Sequence, residues 1–331
     1  MGKHANWNGV RFDVLSNRGH AESYFLKANS PDGERALWLK ATILAAQGRP
    51  AHAIAEIWAV LFSRDGHHVV VKQSMPYGQA SFSPSQLEVT AGTQFDLNDT
   101  ATRGDITFAD RRLGWELRLS GESAPIVMLP MARMYTEPFP KTKLVSPKPD
   151  LRFDGFILLD GKRIDVRGWR GMQGHNWGTG HADTYAWGHC NQWDGDEHTV
   201  VEAVSARVRV GSLKTPLLTL VHVRHDGRHY AMTGLIDLAR NRGEIHPRRW
   251  FFGARAHGVT VEGDFSAQTS DMVGLHYANP NGSMSYCLNS KLANARLHLQ
   301  LSGREPVDLL SRSAAFELGT TDPEHGVKMY V

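Results

Sequence analysis

The apolar segments of this chain are short, and nearly all of them end at glycine, proline, asparagine or aspartate. Segments such as HHVVVKQS, GWELRLSG and TVVEAVSARVRV carry the β-branched and aromatic residues that favour strands. Asp160-Gly161 and Asp226-Gly227 separate neighbouring segments and suit the tight turns of β-hairpins. Because this pattern interrupts the chain too often for long helices, it predicts an all-β protein of antiparallel strands.

The strongest challenge to that prediction is an alanine-rich region, ALWLKATILAA followed by AIAEIWAVLF. Alanine favours helix, so a helix is the alternative here. Gly48-Arg49-Pro50 breaks the region into two parts, and each part carries bulky Trp, Ile, Val or Phe residues. We therefore predict two strands.

The length of 331 residues exceeds what a single hydrophobic core usually serves. Four prolines fall within TEPFPKTKLVSPKPD, residues 136–150, and both sides of it are equally rich in predicted strands. We predict an N-terminal domain over residues 1–150 and a C-terminal domain over residues 151–331. Two β-barrels or sandwiches are the simplest architecture for such halves.

Composition and motifs exclude several classes of function. A net charge of +3, from 37 basic and 34 acidic residues, gives no basic surface for nucleic acid. The only two cysteines lie far apart in sequence, so we expect no disulfide framework. With no apolar leader at the start and no run of 18 apolar residues, the chain is expected to be cytoplasmic, without a membrane span. Nucleotide-binding and serine-hydrolase motifs are missing.

Glu202 is a carboxylate on an otherwise apolar strand face. In TVVEAVSARVRV the face of Glu202 also carries Val200, Val204 and Ala206, because successive side chains point to opposite sides. Burial raises the pKa of a carboxyl group, and an acid that stays protonated near neutral pH can donate a proton. The alternative is that Glu202 is paired with an arginine or lysine, or is turned outward by a bulge.

The segment TYAWGHCNQW predicts an aromatic and polar strand face. Alternation places five side chains on it: Tyr185, Trp187, His189, Asn191 and Trp193. An ordinary core strand would carry Val, Ile or Leu at these positions. The face fits the wall of a ligand pocket, whose aromatic rings would stabilise a cation, and it equally fits a structural polar network.

Just before this strand, GHNWG places His175, Asn176 and Trp177 between glycines, which favours a turn beside the pocket. His175, His181 and His189 could converge on a metal, but no His-x-His, His-Glu-x-x-His or cysteine cluster supports a metal site. We therefore predict no metal and no cofactor.

A second set of polar residues shares apolar faces in the first half. Glu56 and Trp58 lie on one face of AIAEIWAVLF, and Glu22 shares a face with Tyr24. Lys40 lies among Trp38, Thr42 and Leu44. We expect Lys40 to form an ion pair with Glu22 or Glu56 inside the first domain.

The segment WRGMQGHNWGTGHADTYAWGHCNQW resembles the lipocalin-like group that includes AttH-like proteins, carotenoid 1,2-hydratases and tocopherol cyclases. The matching residues are Trp169, His175, Asn176, Trp177, Gly178, Tyr185, Trp187 and Trp193. SPKPDLRFDG and SYCLNSKLA are also similar to this group. The resemblance implies two lipocalin-like antiparallel β-barrel domains packed together.

The resemblance also implies one of three reactions: hydration of an isoprenoid double bond, ring closure of a prenylated quinol, or pericyclic ring closure in natural-product assembly. The first two need one protonated acid, aromatic walls, and a water or internal nucleophile. The hydratases carry a Tyr-Asp pair on the strand after the motif. Here that strand is TVVEAVSAR, which has no such pair but holds Glu202.

We arrive at two hypotheses. The first is a cofactor-free hydratase, cyclase or isomerase that protonates an alkene of a lipophilic isoprenoid-type or polyketide-type substrate. The second is a non-catalytic carrier of a hydrophobic ligand. In a third, purely structural interpretation, compatible with both, HNWG locks the domain interface and His175 bonds to backbone.

In the enzyme hypothesis Glu202 is the proton donor and His175 assists it. The expected substrate-binding residues are Trp177, Asn176, Tyr185, Trp187, His189, Asn191, Glu56 and Trp58. The partner is a lipophilic small molecule and not nucleic acid. Transient membrane contact is left open, and the sequence does not determine the oligomeric state.

Overall fold

A computed structural model of the protein describes residues 6–121, 123–210, 213–256 and 258–331. Strands dominate it, and they form two large antiparallel sheets and one small hairpin. The predicted all-β class is confirmed. At Asp160-Gly161 and Asp226-Gly227 all four residues have positive φ, and each pair joins two antiparallel strands. The two predicted hairpin turns are therefore present.

The first sheet is built from the first twelve strands. These are β1 His20–Asn29, β2 Arg35–Ala45, β3 Ile54–Ser63, β4 Val69–Pro76, β5 Ala80–Phe82, β6 Glu88–Ala91, β7 Phe95–Asn98, β8 Ala101–Phe108, β9 Arg111–Ser120, β10 Ile126–Val127, β11 Thr142–Leu159 and β12 Lys162–Gly178. Their order across the sheet is β4-β3-β2-β1-β12-β11-β9-β8-β7-β6-β5, and β10 pairs with β11.

The second sheet and the small hairpin use the remaining strands. These are β13 Thr184–Cys190, β14 Val200–Arg207, β15 Arg209–Val210, β16 Leu213–Lys214, β17 Leu218–His225, β18 Arg228–Met232, β19 Arg242–His246, β20 Arg249–Ala256, β21 Val259–Ser266, β22 Val273–Ala278, β23 Met284–Leu301 and β24 Val307–Thr320. The order is β18-β17-β14-β13-β24-β23-β21-β20-β19; β22 pairs with β23, and β15 pairs only with β16.

Helical structure is limited to short connections. The described residues contain the α-helix α1, Leu235–Arg240, and four single-turn 3-10 helices at Pro50–His52, Tyr77–Gln79, Ala132–Tyr135 and Thr269–Asp271. Across the part of the chain that is described, none of the helices has the length and apolar character required to cross a membrane.

The alanine-rich region forms the two predicted strands, β2 and β3. Leu37, Leu39 and Ile43 of β2 lie in the core of the first sheet, while Ala36 and Trp38 pack in a different cluster on the opposite face. Both faces of these strands are thus buried, and burial on two faces outweighs the helix propensity of alanine.

Each sheet curls around its own hydrophobic core. In the first, β4 contacts β8 and β9; in the second, β17 and β18 contact β20. One cluster of buried apolar residues fills the first sheet and a second cluster fills the second. A third cluster combines residues of both sheets, such as Phe25 and Trp38 with Trp187 and Leu275, so the two barrel-like units pack against each other through sheet faces.

Residue 150, where we predicted the domain boundary, lies inside the continuous strand β11. Strands β11 and β12 both pair within the first sheet, and the chain passes to the second sheet between Gly178 and Thr184. The proline-rich segment does not link two units but continues into β11. The sheet tolerates its prolines because the pairing of β11 with β12 shifts register near Pro147 and Pro149. Consequently, the HNWG residues belong to the first sheet and not to the second.

Candidate functional site

Strand β13 presents its aromatic face to the first sheet. Tyr185 and Trp187 pack in the cluster shared by both sheets, whereas Ala186 and Cys190 lie in the core of the second. The face alternation predicted for this strand is confirmed over its length. Trp193 is an exception: β13 ends at Cys190, and the Trp193 indole turns into the second core and donates to the carbonyl of Thr199.

His189 and Asn191 bind the first sheet directly. His189 Nε2 lies 2.9 Å from the carbonyl oxygen of Pro149. The Asn191 amide donates to the Asp150 carboxylate at 2.9 Å and to the Gly171 carbonyl at 2.8 Å. Both side chains are fully buried, so they hold the two sheets in register.

Glu202 is fully buried on the same face, one strand away. The Trp187 indole donates a hydrogen bond to Glu202 Oε1 at 3.0 Å, and Oε2 has no hydrogen-bond partner among the described residues. Burial raises the pKa of Glu202 to about 7, against the smaller lowering effects of Trp187 and Ser146. No basic side chain in the described part forms an ion pair with it, so a carboxyl group with this pKa is about half protonated at pH 7.

Two histidines flank Glu202 on the neighbouring strands. His189 of β13 and His222 of β17 are its direct cross-strand partners, and such positions bring side chains within about 5 Å at Cβ. Burial holds the pKa of His189 well below its usual range and lowers that of His222 to about 4. Each has an Nδ1 atom without a partner among the described residues.

The arrangement of these atoms suits proton transfer. Because His189 Nε2 faces a carbonyl oxygen, its proton resides there, and Nδ1 keeps a free lone pair. The protonated form of Glu202 thus lies beside two neutral histidines. This combination is expected where the environment raises the pKa of an acid and lowers the pKa of neighbouring bases. Sequence analysis missed His222, although the alternation of LTLVHVRH places it on the face of Leu218, Leu220 and Arg224.

Trp58 and Asn176 lie on the first sheet and face the layer of side chains between the two sheets. Trp58 packs in the cluster shared by both sheets, with its ring centroid 6.2 Å from that of Tyr277 in β22. Asn176 is half-buried beside Ser23 of β1. Glu56, on the same strand face as Trp58, forms an ion pair with Lys72, and 2.8 Å separates Glu56 Oε1 from Lys72 Nζ.

The expected ion pair of Lys40 with Glu22 or Glu56 is wrong. The Lys40 Nζ atom lies 3.8 Å from the ring centroid of Tyr277, in the second sheet. Glu56 is taken by Lys72, and Glu22 points to the opposite face of the first sheet, into its core. The sequence grouped these residues correctly by face but could not show that the face of Lys40 is covered by another sheet.

His175 is bound by residues of the first barrel. Its Nε2 lies 3.0 Å from Glu22 Oε1, its Nδ1 lies 2.6 Å from the Trp7 carbonyl oxygen, and its ring stacks on Tyr24 at 4.1 Å. Both oxygens only accept, so the geometry is satisfied when both ring nitrogens carry a proton. The predicted turn is wrong: His175 lies near the end of the 17-residue strand β12, paired to β1 and β11.

Glu22 is the central hydrogen-bond acceptor of that network. Its carboxylate also accepts from the backbone N–H groups of Arg11 and Phe12 and lies 2.7 Å from His20 Nε2. Burial would raise its pKa, but the bonds to His175 and His20 outweigh it and lower the pKa to about 2. The HNWG histidine therefore holds the N-terminal segment over the end of the first barrel. It bonds to backbone as the structural interpretation expected, but these contacts lie within the first barrel and not at the interface between the two sheets.

Trp177 lines a cavity of about 1280 Å³ at this end of the barrel, together with Trp7, Phe12 and Tyr135. Arg11 lies over the Trp177 ring at 5.1 Å. The cavity does not include Glu202. Val127 and Tyr135 line it, whereas Ile126, the neighbour of Val127, packs with residues of the second sheet.

The structure thus separates the predicted residues into two groups. Glu202, Tyr185, Trp187, His189, Asn191, Trp58 and Asn176 belong to the layer between the sheets, with Glu56 at its margin. His175 and Trp177 belong to the end of the first barrel. Among the described residues, no three side chains of the metal-ligating types come together as a metal site.

Gly319 controls the position of Tyr185 in the layer between the sheets. A Cβ atom at Gly319 would lie 1.9 Å from Tyr185 Cε1. We expect Gly319→Ala to displace the Tyr185 ring and to lower the free energy of unfolding by about 1–3 kcal/mol. Denaturant unfolding checks this, with Gly78→Ala as the control because nothing lies within 4 Å of its added Cβ. Equal stability of the two variants would contradict the assigned packing.

Comparison with known proteins identifies both a family and a fold. The sequence model of the tocopherol cyclase-like family matches residues 151–320, just over half of the chain. Two uncharacterized proteins of Mycobacterium tuberculosis, MT0513 of strain CDC 1551 and Rv0493c of strain H37Rv, are each 28% identical over 290 residues. In each case the match covers 86% of this chain and 82% of the relative.

Two crystal structures share the overall fold at low sequence identity. A Nitrosomonas europaea protein described as AttH superimposes with a TM-score of 0.56 at 12% identity, covering 96% of this chain and 98% of that one. Kievitone hydratase of Nectria haematococca gives a TM-score of 0.55 at 8% identity, covering 91% and 89%. Both matches extend over the two sheets, so the lipocalin-like two-barrel architecture is confirmed.

Proposed function

We propose, given that this chain belongs to the tocopherol cyclase-like family, that it is a cofactor-free enzyme that protonates an alkene of a lipophilic isoprenoid-type or polyketide-type substrate. The observation that carries the proposal is the row His189, Glu202 and His222, three buried groups with unpartnered heteroatoms on adjacent strands. Family membership and the hydratase name of one structural neighbour support a hydratase or cyclase type of reaction.

Glu202 supplies the proton. The proton on Oε2 is transferred to one alkene carbon, and the π electrons form the new C–H bond. The other alkene carbon becomes a cation, and Glu202 becomes a carboxylate. In a hydration, water adds to the cation and its surplus proton passes to His189 Nδ1, from which Glu202 is reprotonated through solvent. In a cyclisation, a hydroxyl group of the substrate replaces the water. A general acid of this kind typically accelerates a reaction by about 10²–10⁴-fold.

Aromatic rings around Glu202 suit a cationic intermediate. Trp187 binds Glu202 directly, and its ring meets Phe25 of the first sheet edge to face at 5.7 Å. Lysine ammonium groups already lie over Trp38, Trp58 and Trp187 in this layer. Rings that stabilise an ammonium by their quadrupole can stabilise a carbocation in the same way.

Solvent deuterium provides the test. The protein is incubated in D₂O with a panel of prenylated quinols and acyclic polyenes, and products are analysed by mass spectrometry and NMR. We expect one alkene to acquire a carbon-bound deuterium, accompanied by added water or by a new ring. If panel members bind but none acquires carbon-bound deuterium, the proton-transfer proposal fails.

The large cavity favours a second candidate, a carrier of a hydrophobic ligand. Its aromatic lining by Trp7, Tyr135 and Trp177 lies apart from Glu202. A carrier would bind panel molecules there without chemistry. In that case Trp177→Ala would weaken binding, whereas Trp187→Ala in the layer between the sheets would not.

A further inference from the structure

Lys40 is a largely buried residue whose ammonium group has no oxygen partner among the described residues. It is 6% exposed, and Nζ lies over the ring of Tyr277 at 3.8 Å, with the rings of Trp38 and Trp58 at 5.6 and 5.9 Å. No hydrogen bond or ion pair of Lys40 is formed with any described residue. An ammonium group that is held only by aromatic faces, on a largely buried side chain, retains unused capacity to bind an anion.

The neighbouring cations are each satisfied. Lys291 Nζ lies 2.6 Å from both Glu317 Oε1 and Asn289 Oδ1. Lys27 donates to the carbonyl oxygen of Ser313, and Lys72 pairs with Glu56. The nearby carboxylates are therefore engaged, and Lys40 is the exception.

Three unpartnered donors lie on the same sheet face as Lys40. Trp38, Lys40 and Thr42 alternate on β2, and Trp58 is directly opposite Lys40 on β3. Trp38 Nε1, Trp58 Nε1 and Thr42 Oγ1 are all buried without a partner among the described residues. Orphaned buried donors of this kind call for an acceptor. Three of them on the same sheet face as an unpaired ammonium favour an acceptor that carries negative charge.

We infer that Lys40, with Trp38, Trp58 and Thr42, binds the acidic oxygen group, such as a carboxylate, of an otherwise lipophilic ligand held between the two sheets. This inference names the substrate class of the proposed enzyme and relies on that proposal for the ligand's location. A chain of contacts connects Lys40 to Glu202 across the layer. Lys40 lies over the ring of Trp38, and Lys291 Nζ lies 5.4 Å from the ring centroids of both Trp38 and Trp187. Trp187 in turn donates to Glu202. An acidic end at Lys40 would direct the apolar part of the ligand toward Glu202.

The ionisation of Lys40 gives the site a pH dependence. Burial lowers the pKa of Lys40 to about 8, with Glu317, Cys287 and Glu56 opposing the shift and Lys291 adding to it. His181, Tyr277 and Tyr185 are further titratable groups on this side of the layer, and the Lys72 ammonium lies over Trp58 at 4.1 Å. An anion binds the protonated amine, so the affinity of the site for an anionic ligand is full below pH 8 and falls as the pH rises above 8.

The test compares cis-parinaric acid with its methyl ester, two fluorescent polyenes that differ only in the charged group. We expect the wild-type protein at pH 7 to bind the acid about tenfold or more tightly than the ester, the effect of a charged hydrogen bond. In Lys40→Met the preference falls to about twofold or less, while ester binding is retained. Lys162→Met, at an exposed hairpin position, is the charge-matched control and keeps the preference.

Three results would overturn the inference: failure of the wild type to bind the acid, equal affinity for acid and ester, or a preference that survives Lys40→Met. If Lys40→Met does not fold, the wild type still decides, because the preference must decline between pH 7 and pH 9. Since these measurements need no turnover, a protein that discriminates acid from ester but incorporates no deuterium retains the Lys40 site and loses the proposed reaction.

Discussion

Glu202→Gln is expected to reduce kcat by about 10²–10⁴-fold on the alkene that the deuterium experiment identifies. Glutamine keeps the shape of the side chain and can still accept the indole N–H of Trp187, but it has no acidic proton to donate. Substrate affinity should change little, since the proton is transferred only in the reaction itself. Steady-state kinetics separate kcat from KM, and Glu197→Gln, an exposed carboxylate change, is the matched control.

The same variant should show a characteristic stability profile. The folded-state pKa of Glu202, about 7, is above its ordinary value of 4.5. The contribution of Glu202 to the stability of the wild type is therefore complete below pH 4.5 and is lost as the pH rises through 7, because a buried carboxylate must form. Glu202→Gln lacks this penalty, so we expect equal melting near pH 4.5 and an advantage of up to about 3 kcal/mol at pH 8. For the wild type, kcat should fall above pH 7.

Two outcomes would refute the role of Glu202. One is a variant with wild-type kcat. The other is a variant that melts far below the wild type at pH 8, which would mean that the carboxylate is ionised and paired. His189→Gln extends the test: it should lower hydration or cyclisation but leave solvent deuterium exchange into the alkene detectable, because the donor remains.

His175→Ala is expected to destabilise the fold by about 3–5 kcal/mol. It leaves the buried Glu22 carboxylate without its strongest side-chain partner and removes the ring that bonds to Trp7 and stacks on Tyr24. Denaturant unfolding measures this loss. His246→Ala is the control, because His246 pairs with Glu244 at the surface, where ion pairs contribute about 1 kcal/mol or less.

Acid should weaken the same network. The pKa of Glu22 is depressed to about 2, so its contribution to stability is complete above pH 4.5 and is lost as the pH falls from 4.5 towards 2. Glu22→Gln should remove this component of acid denaturation, and a double-mutant cycle with His175→Ala should be non-additive. If His175→Ala melts like the wild type yet abolishes turnover, His175 is catalytic, as the sequence first suggested, and its structural role is refuted.

Residue-level patterns predicted much of the layer between the sheets. Alternation in TYAWGHCNQW and TVVEAVSAR placed Trp187, His189 and Glu202 on common faces, and the structure pairs these strands as neighbours. Alternation works because the pleat fixes the side of each residue whatever the sheet packs against. It failed at Trp193, where the strand had already ended, and at GHNWG, whose glycines suggested a turn inside a paired strand.

Sequence alone determined the all-β class, the two alanine-rich strands, the hairpins at Asp160-Gly161 and Asp226-Gly227, and the polar residues that share strand faces. Only the tertiary structure decided what those faces meet. Lys40 and Glu22 illustrate the difference: they lie on adjacent strands of one sheet, yet Lys40 packs on Tyr277 of the other sheet while Glu22 binds His175 inside the barrel. Strand periodicity is a local property of the backbone, whereas burial, orphaned donors and shifted pKa values depend on which distant strand covers each face.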